Sequence, residues 1–186
     1  AKQLWRKGTS RDEIWDKTGW FQGKDGEWRF EIPDDALKVS SAEGISHPPL
    51  QKAYPALKNV DVSVKRDHNT LGSFTQEPPA YLKELDPKGQ NNAEILVRGP
   101  KSEFRSIAGH ELQHFVQDQE KFHPGGSPYG SMLSKHKDPN DAYNRLAGEV
   151  EARNVEARLN MTPEERRAAP PWKTQDYVES KQLLTK

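Results

Sequence analysis

The 186-residue chain contains no cysteine. That absence excludes a disulfide scaffold, a Cys-ligated zinc finger and a cysteine nucleophile. A surplus of charge is also missing: 28 Lys+Arg stand against 28 Asp+Glu, so no specific nucleic-acid binding is expected. No run approaches the ~20 apolar residues of a membrane span. The opening AKQLWRKGTS lacks the apolar centre of a signal peptide, so no membrane role is expected and a cytoplasmic location is. Hydrophobic residues are scarce at 32%, against ~45–50% in typical globular domains, a figure that also counts glycine. A small core is therefore expected, with much irregular chain carrying the 14 Pro and 13 Gly. Aromatics are not scarce: five Trp, five Tyr and six Phe are too many for a wholly solvated chain.

Along the chain, the pattern predicts an α+β fold. Ala1–Lys7 reads as a short helix stopped by Gly8, and Ser10 with Glu13 three residues on has capping-box spacing. Apolar and aromatic residues on both sides of GKDG predict a β-hairpin over 20–32. Residues 33–59 read as a connector with a helical turn near Leu50–Tyr54, and 70–92 as mostly irregular. Strands are predicted at Val60–Val64 and Ala93–Gly99. A helix from Ser102 follows, and after a loop (121–139) a second long helix is predicted over 142–161, capped by Asn140 or Asp141. These elements divide linearly into an N-terminal helix and hairpin segment (1–35), a main domain (36–172) and a tail (173–186).

The helix from Ser102 carries His110-Glu111-Leu112-Gln113-His114, an HExxH motif. Residues four apart on a helix differ by about 40° around the axis, so both imidazoles leave one face. That separation suits two neutral nitrogens on one Zn²⁺ at ~2.0–2.1 Å. Glu111, one step round, is placed to act as a general base on water rather than to share the metal. A catalytic zinc takes three protein ligands and one open position. The later helix offers Glu149, Glu151 and Glu156 as the third. Because 149 and 151 lie about 200° apart, at most one of them faces a given site.

GHELQHFVQ, then HPGGSP, then YNRLAGEVEARNVEARLNMTPEERRAAPPW together resemble the zincin-like metallopeptidase domain of large polyvalent proteins of phages and other mobile elements. The opening GTSRDEIWDKTGWFQGKDGEWRFEI resembles the segment preceding that domain. The likeness runs over nearly the whole chain and is strongest over 8–35 and 107–172. It implies a small zincin-like domain, with a short β-sheet, an HExxH helix and a second Glu-bearing helix. It also implies zinc, with His110 and His114 as ligands, Glu111 as base, and a Glu of the GEVEAR helix as third ligand. The Glu151-Ala152 step resembles the third-ligand helix of thermolysin-like gluzincins and favours Glu151, with Glu149 the main rival. The resemblance names no substrate.

For the developing oxyanion, Tyr143 is the catalytic candidate taken forward, beside His123, Tyr129, His136 and Arg145. Asp118 and Asn154 are candidate acceptors for a ligand-histidine N–H. His47 and His68 read as surface histidines, and the aromatic residues of 5–30 as packing for the hairpin. The leading expectation is a zinc endopeptidase acting on a protein or peptide substrate, which adds along an exposed edge formed by Glu94–Gly99. Such a chain would be part of a larger polyprotein, at work in the cytoplasm or carried in a virion and injected. The alternatives are a non-catalytic metal-binding interaction module and hydrolysis of a non-peptide amide. The N-terminal segment is also a candidate cover for the cleft.

Overall fold

The computed structural model of the chain describes residues 1–76, 78, 92–127 and 133–184. They form two compact units: Ala1–Pro33 with Glu120–Lys186, and Asp34–Gln119. The first unit is discontinuous in sequence, unlike the linear division expected. It opens with α1 (Lys2–Arg6) and α2 (Arg11–Thr18). The Ser10 hydroxyl accepts the Glu13 N–H, as its spacing predicts, and Gly19 (φ 71°) closes α2 in the left-handed conformation. β1 (Trp20–Gln22) and β2 (Trp28–Phe30) pair antiparallel, with Phe21 opposite Arg29.

The second unit begins with a hairpin the sequence did not show, β3 (Lys38–Ser40) with β4 (Gly44–Ser46). Helix α3 (Pro48–Ala53) follows, and it is capped by His47, whose ring accepts the Leu50 N–H at 3.3 Å. His47 is therefore no surface residue. It is 1% exposed, with Nε2 3.1 Å from Asp34. The main sheet comprises β5 (Asp61–Arg66), β6 (Leu71–Thr75) and β7 (Glu94–Gly99), in the order β5-β7-β6. β7 runs parallel to β5 and antiparallel to β6, with Ile95 opposite Val62 and Phe74. This corrects the expected edge: β7 is the central strand, with Ile95 and Val97 fully buried. The third strand, β6, lies in the stretch read as irregular. Its exposed Leu71, Ser73 and Thr75 and interior Gly72 hide the usual apolar alternation. A 3-10 turn at Lys101–Glu103 leads into α4 (Phe104–Glu120). Its buried residues include Phe104, Ile107, Leu112 and Phe115, and the Phe115 ring meets Tyr54 and Phe74 edge-on at 6.2 and 6.0 Å.

The first unit resumes with α5 (Pro139–Asn144) and α6 (Ala147–Arg158), separated where one helix was expected. Leu146 turns extended (ψ 130°) because the C-terminal segment competes for its backbone. Leu183 accepts the Ala147 N–H at 2.8 Å and donates to the Arg145 carbonyl at 2.7 Å. Asp138, not Asn140 or Asp141, caps α5. α7 (Pro163–Ala168) starts at a Thr162–Glu165 capping box, and α8 (Pro171–Thr174) follows. Arg158, 1% exposed, grips Glu31 through two bonds of 2.7 and 2.8 Å, and Arg166 shares the same carboxylate. Trp15 is buried and meets Phe21 and Trp172 edge-on at 5.9 and 6.0 Å, within the range aromatic pairs prefer. Trp5, Trp20 and Phe30 are largely exposed, so only part of the N-terminal aromatic set is core. Among the described residues no helix is long and apolar enough to cross a membrane.

Candidate functional site

On α4 the two histidine rings adjoin, with centroids 4.8 Å apart and planes at 73°. Both residues are half-buried, while Glu111 is buried. Space for the Glu111 carboxylate comes from β6. A Cβ at Gly72 would lie 2.2 Å from Glu111 Oε1 and 2.7 Å from Ile107 Cγ2, closer than real side chains approach. The bare glycine backbone is thus what lets the strand pass beside Glu111. His114 Nδ1 lies 2.9 Å from the Gln117 amide oxygen, and Gln117 is fully buried. Gln117, rather than Asp118 or Asn154, is thus the side chain beside a ring nitrogen of His114. Asp118 accepts instead from Gln76, while Asn154 donates to the Pro171 carbonyl and accepts from Thr174. Sequence reasoning passed over Gln117 although its i+3 spacing from His114 is a same-face signal.

In the other unit, α6 turns Glu149 and Glu151 to different surroundings. Glu149 is 1% exposed, and its carboxylate accepts the Tyr143 hydroxyl at 2.9 Å and the Gly126 N–H at 2.9 Å. The loop that supplies Gly126 crosses α6 at Gly148, where a Cβ would meet Gly125 N and Pro124 C at 2.3 Å. Glu151 makes an ion pair with Arg29 Nε at 2.8 Å, both side chains being buried. Arg29 is also forked by Asp25 at 2.7 and 2.9 Å and stacks over the Phe122 ring at 4.0 Å. Burial pulls the Arg29 guanidinium down, but Glu151 and Asp25 outweigh it and hold the group above its ordinary value. Asp25 is likewise pushed up by desolvation, yet Arg29 and the Glu27 and His123 N–H groups bring it below the usual carboxylate value.

These contacts change two sequence choices. Glu151, preferred as third ligand, has its charge compensated by Arg29, whereas the bonds to Glu149 described above come from neutral donors. Tyr143, the catalytic candidate, has one hydroxyl proton and directs it to Glu149. His123 is half-buried, His136 and His68 are exposed, and Glu156 is half-buried. Arg145 is engaged by Asp141 and the Lys181 carbonyl, and Tyr129 lies outside the described residues.

Residues 1–40 match the family described as large polyvalent protein associated domain 23. The chain is thereby associated with large polyvalent proteins. The match spans α1, α2, the first hairpin and β3, and does not extend to the helices carrying His110, His114 or Glu149. No curated protein and no solved structure matches the chain.

Proposed function

We propose that the protein is a zinc-dependent peptidase in which His110, His114 and Glu149 hold the ion. Two imidazoles and one carboxylate are the donor set of many catalytic zinc sites, and Glu149 is the α6 carboxylate whose bonds given above come from neutral donors. The observation that carries the reading is on α4, where the two histidine rings adjoin and Glu111 is buried one step round. Bound zinc supplies Lewis acidity to a scissile carbonyl and to a water molecule. Glu111 takes one proton from the attacking water at its carboxylate and returns it to the departing amine nitrogen, so the protons balance. Tyr143 and the Gly126 N–H hold the Glu149 carboxylate in one orientation. An extended protein or peptide substrate adds to β6, because no strand pairs with its outer edge among the described residues and Gly72 brings it beside Glu111. The match over residues 1–40 supports a module of a larger phage or mobile-element polypeptide.

The test is zinc content per chain together with hydrolysis of a mixed peptide library. About one zinc is expected in the wild type and in Glu151→Gln, and a clear loss in Glu149→Ala and His110→Ala. Glu111→Gln should retain zinc and lose hydrolysis. Zinc retained in Glu149→Ala but lost in Glu151→Gln would return the third-ligand role to Glu151. Zinc bound with no hydrolysis of any peptide would leave a metal-binding interaction module.

A further inference from the structure

We infer that Gln117 is a positioning residue that sets the tautomer and ring orientation of His114 for metal binding. The inference rests on the metal site proposed above and concerns a residue of this chain that the HExxH pattern does not include.

The argument is one of donor inventory. The Gln117 amide oxygen has lone pairs and no hydrogen, so a ring nitrogen 2.9 Å from it must bring the proton. His114 therefore carries its hydrogen on Nδ1, and the lone pair of the neutral ring resides on Nε2, the nitrogen that can serve as a ligand atom. With the amide oxygen on the ring nitrogen, the opposite tautomer would set two lone pairs against each other within a buried contact. Gln117 is well suited to enforce the choice because it is fully buried and sits one turn beyond His114 on the same rigid helix. A ligand whose ring is already oriented and whose tautomer is already selected loses less freedom when it binds. Hydrogen-bonding partners of this kind typically contribute 10–100-fold in metal affinity.

The test compares zinc affinity, by competition with a chromophoric chelator, in the wild type, Gln117→Met and Gln117→Glu. Methionine keeps the volume and removes the acceptor, while glutamate keeps the acceptor. Affinity is expected to fall 10–100-fold in Gln117→Met and to stay within a few-fold of wild type in Gln117→Glu. Unchanged affinity in Gln117→Met would overturn the inference, and so would equal losses in both variants, which packing alone explains. A wild type that binds no zinc would instead overturn the metal site itself, and this inference with it. The tautomer is read independently by long-range ¹⁵N–¹H correlation on the metal-free wild type, which also serves if Gln117→Met does not fold. Protonation of His114 at Nδ1 is expected, and protonation at Nε2 overturns the inference.

Discussion

Two carboxylates two positions apart on α6 illustrate how a residue's chemistry depends on what reaches it. Glu151 and Arg29 are both below 10% exposed, and removing one member of a buried pair leaves the other charge poorly compensated. Asp25 still holds Arg29 in Glu151→Gln, so a loss near the lower limit of such changes is expected, about 3 kcal/mol in a urea unfolding series, with zinc retained. Asp25 also supplies a pH dependence. Its carboxyl titrates lower in the fold than its ordinary value of 3.8, so its contribution is complete above that value and is lost as pH falls through the lowered one. Asp25→Asn should therefore lower the urea midpoint at neutral pH, and the gap to wild type should narrow below about pH 4. A gap independent of pH would show that Asp25 acts by packing alone.

At the scale of elements, two glycines mark close approaches with different consequences. At Gly72 a Cβ would meet the end of the buried Glu111 side chain and Ile107 Cγ2. Gly72→Ala is expected to displace both side chains, costing about 1–3 kcal/mol and lowering the proposed peptide hydrolysis about 10²-fold. At Gly148 the obstacle is the backbone of Pro124 and Gly125. Gly148→Ala must push the loop off α6 and disturb the Gly126–Glu149 bond, costing about 1–3 kcal/mol, measurable by thermal or urea unfolding. Caps and periodicity made α2 and α4 legible in the sequence, since Ser10 and the apolar face of α4 act within a turn or two. β6 and the break at Leu146 were not legible. β6 is stabilised by its ladder with β7, and the break by Leu183, 37 residues downstream.

For the whole molecule, the segment that matches the polyvalent-protein family does not fold as a separate appendage. Glu31 neutralises Arg158 and Arg166, Arg29 pairs with Glu151, Arg11 with Glu179, and Trp15 donates to the Arg167 carbonyl. Deleting residues 1–33 leaves the two buried cations Arg158 and Arg166 without the Glu31 carboxylate. The expected result is loss of hydrogen-exchange protection across 139–184, not a more active peptidase. A truncated chain with full protection and raised hydrolysis would restore the reading of this segment as an inhibitory cover.

The sequence alone determined the donor chemistry and the local elements. With no cysteine, the proposed metal site draws on histidine and carboxylate, and HExxH on an apolar-backed helix already sets two imidazoles on one face. Those features depend on residues within a few positions of one another, so they can be read from a linear string. Tertiary structure decided which strand lies at the centre of the sheet, which carboxylate of α6 is compensated, where the long helix breaks and where Tyr143 sends its proton. Each of these depends on a partner that the fold, not the local pattern, brings into contact. Arg29 reaches Glu151 across 122 positions, Glu31 reaches Arg158 across 127, and only burial converts such meetings into choices between otherwise equivalent residues.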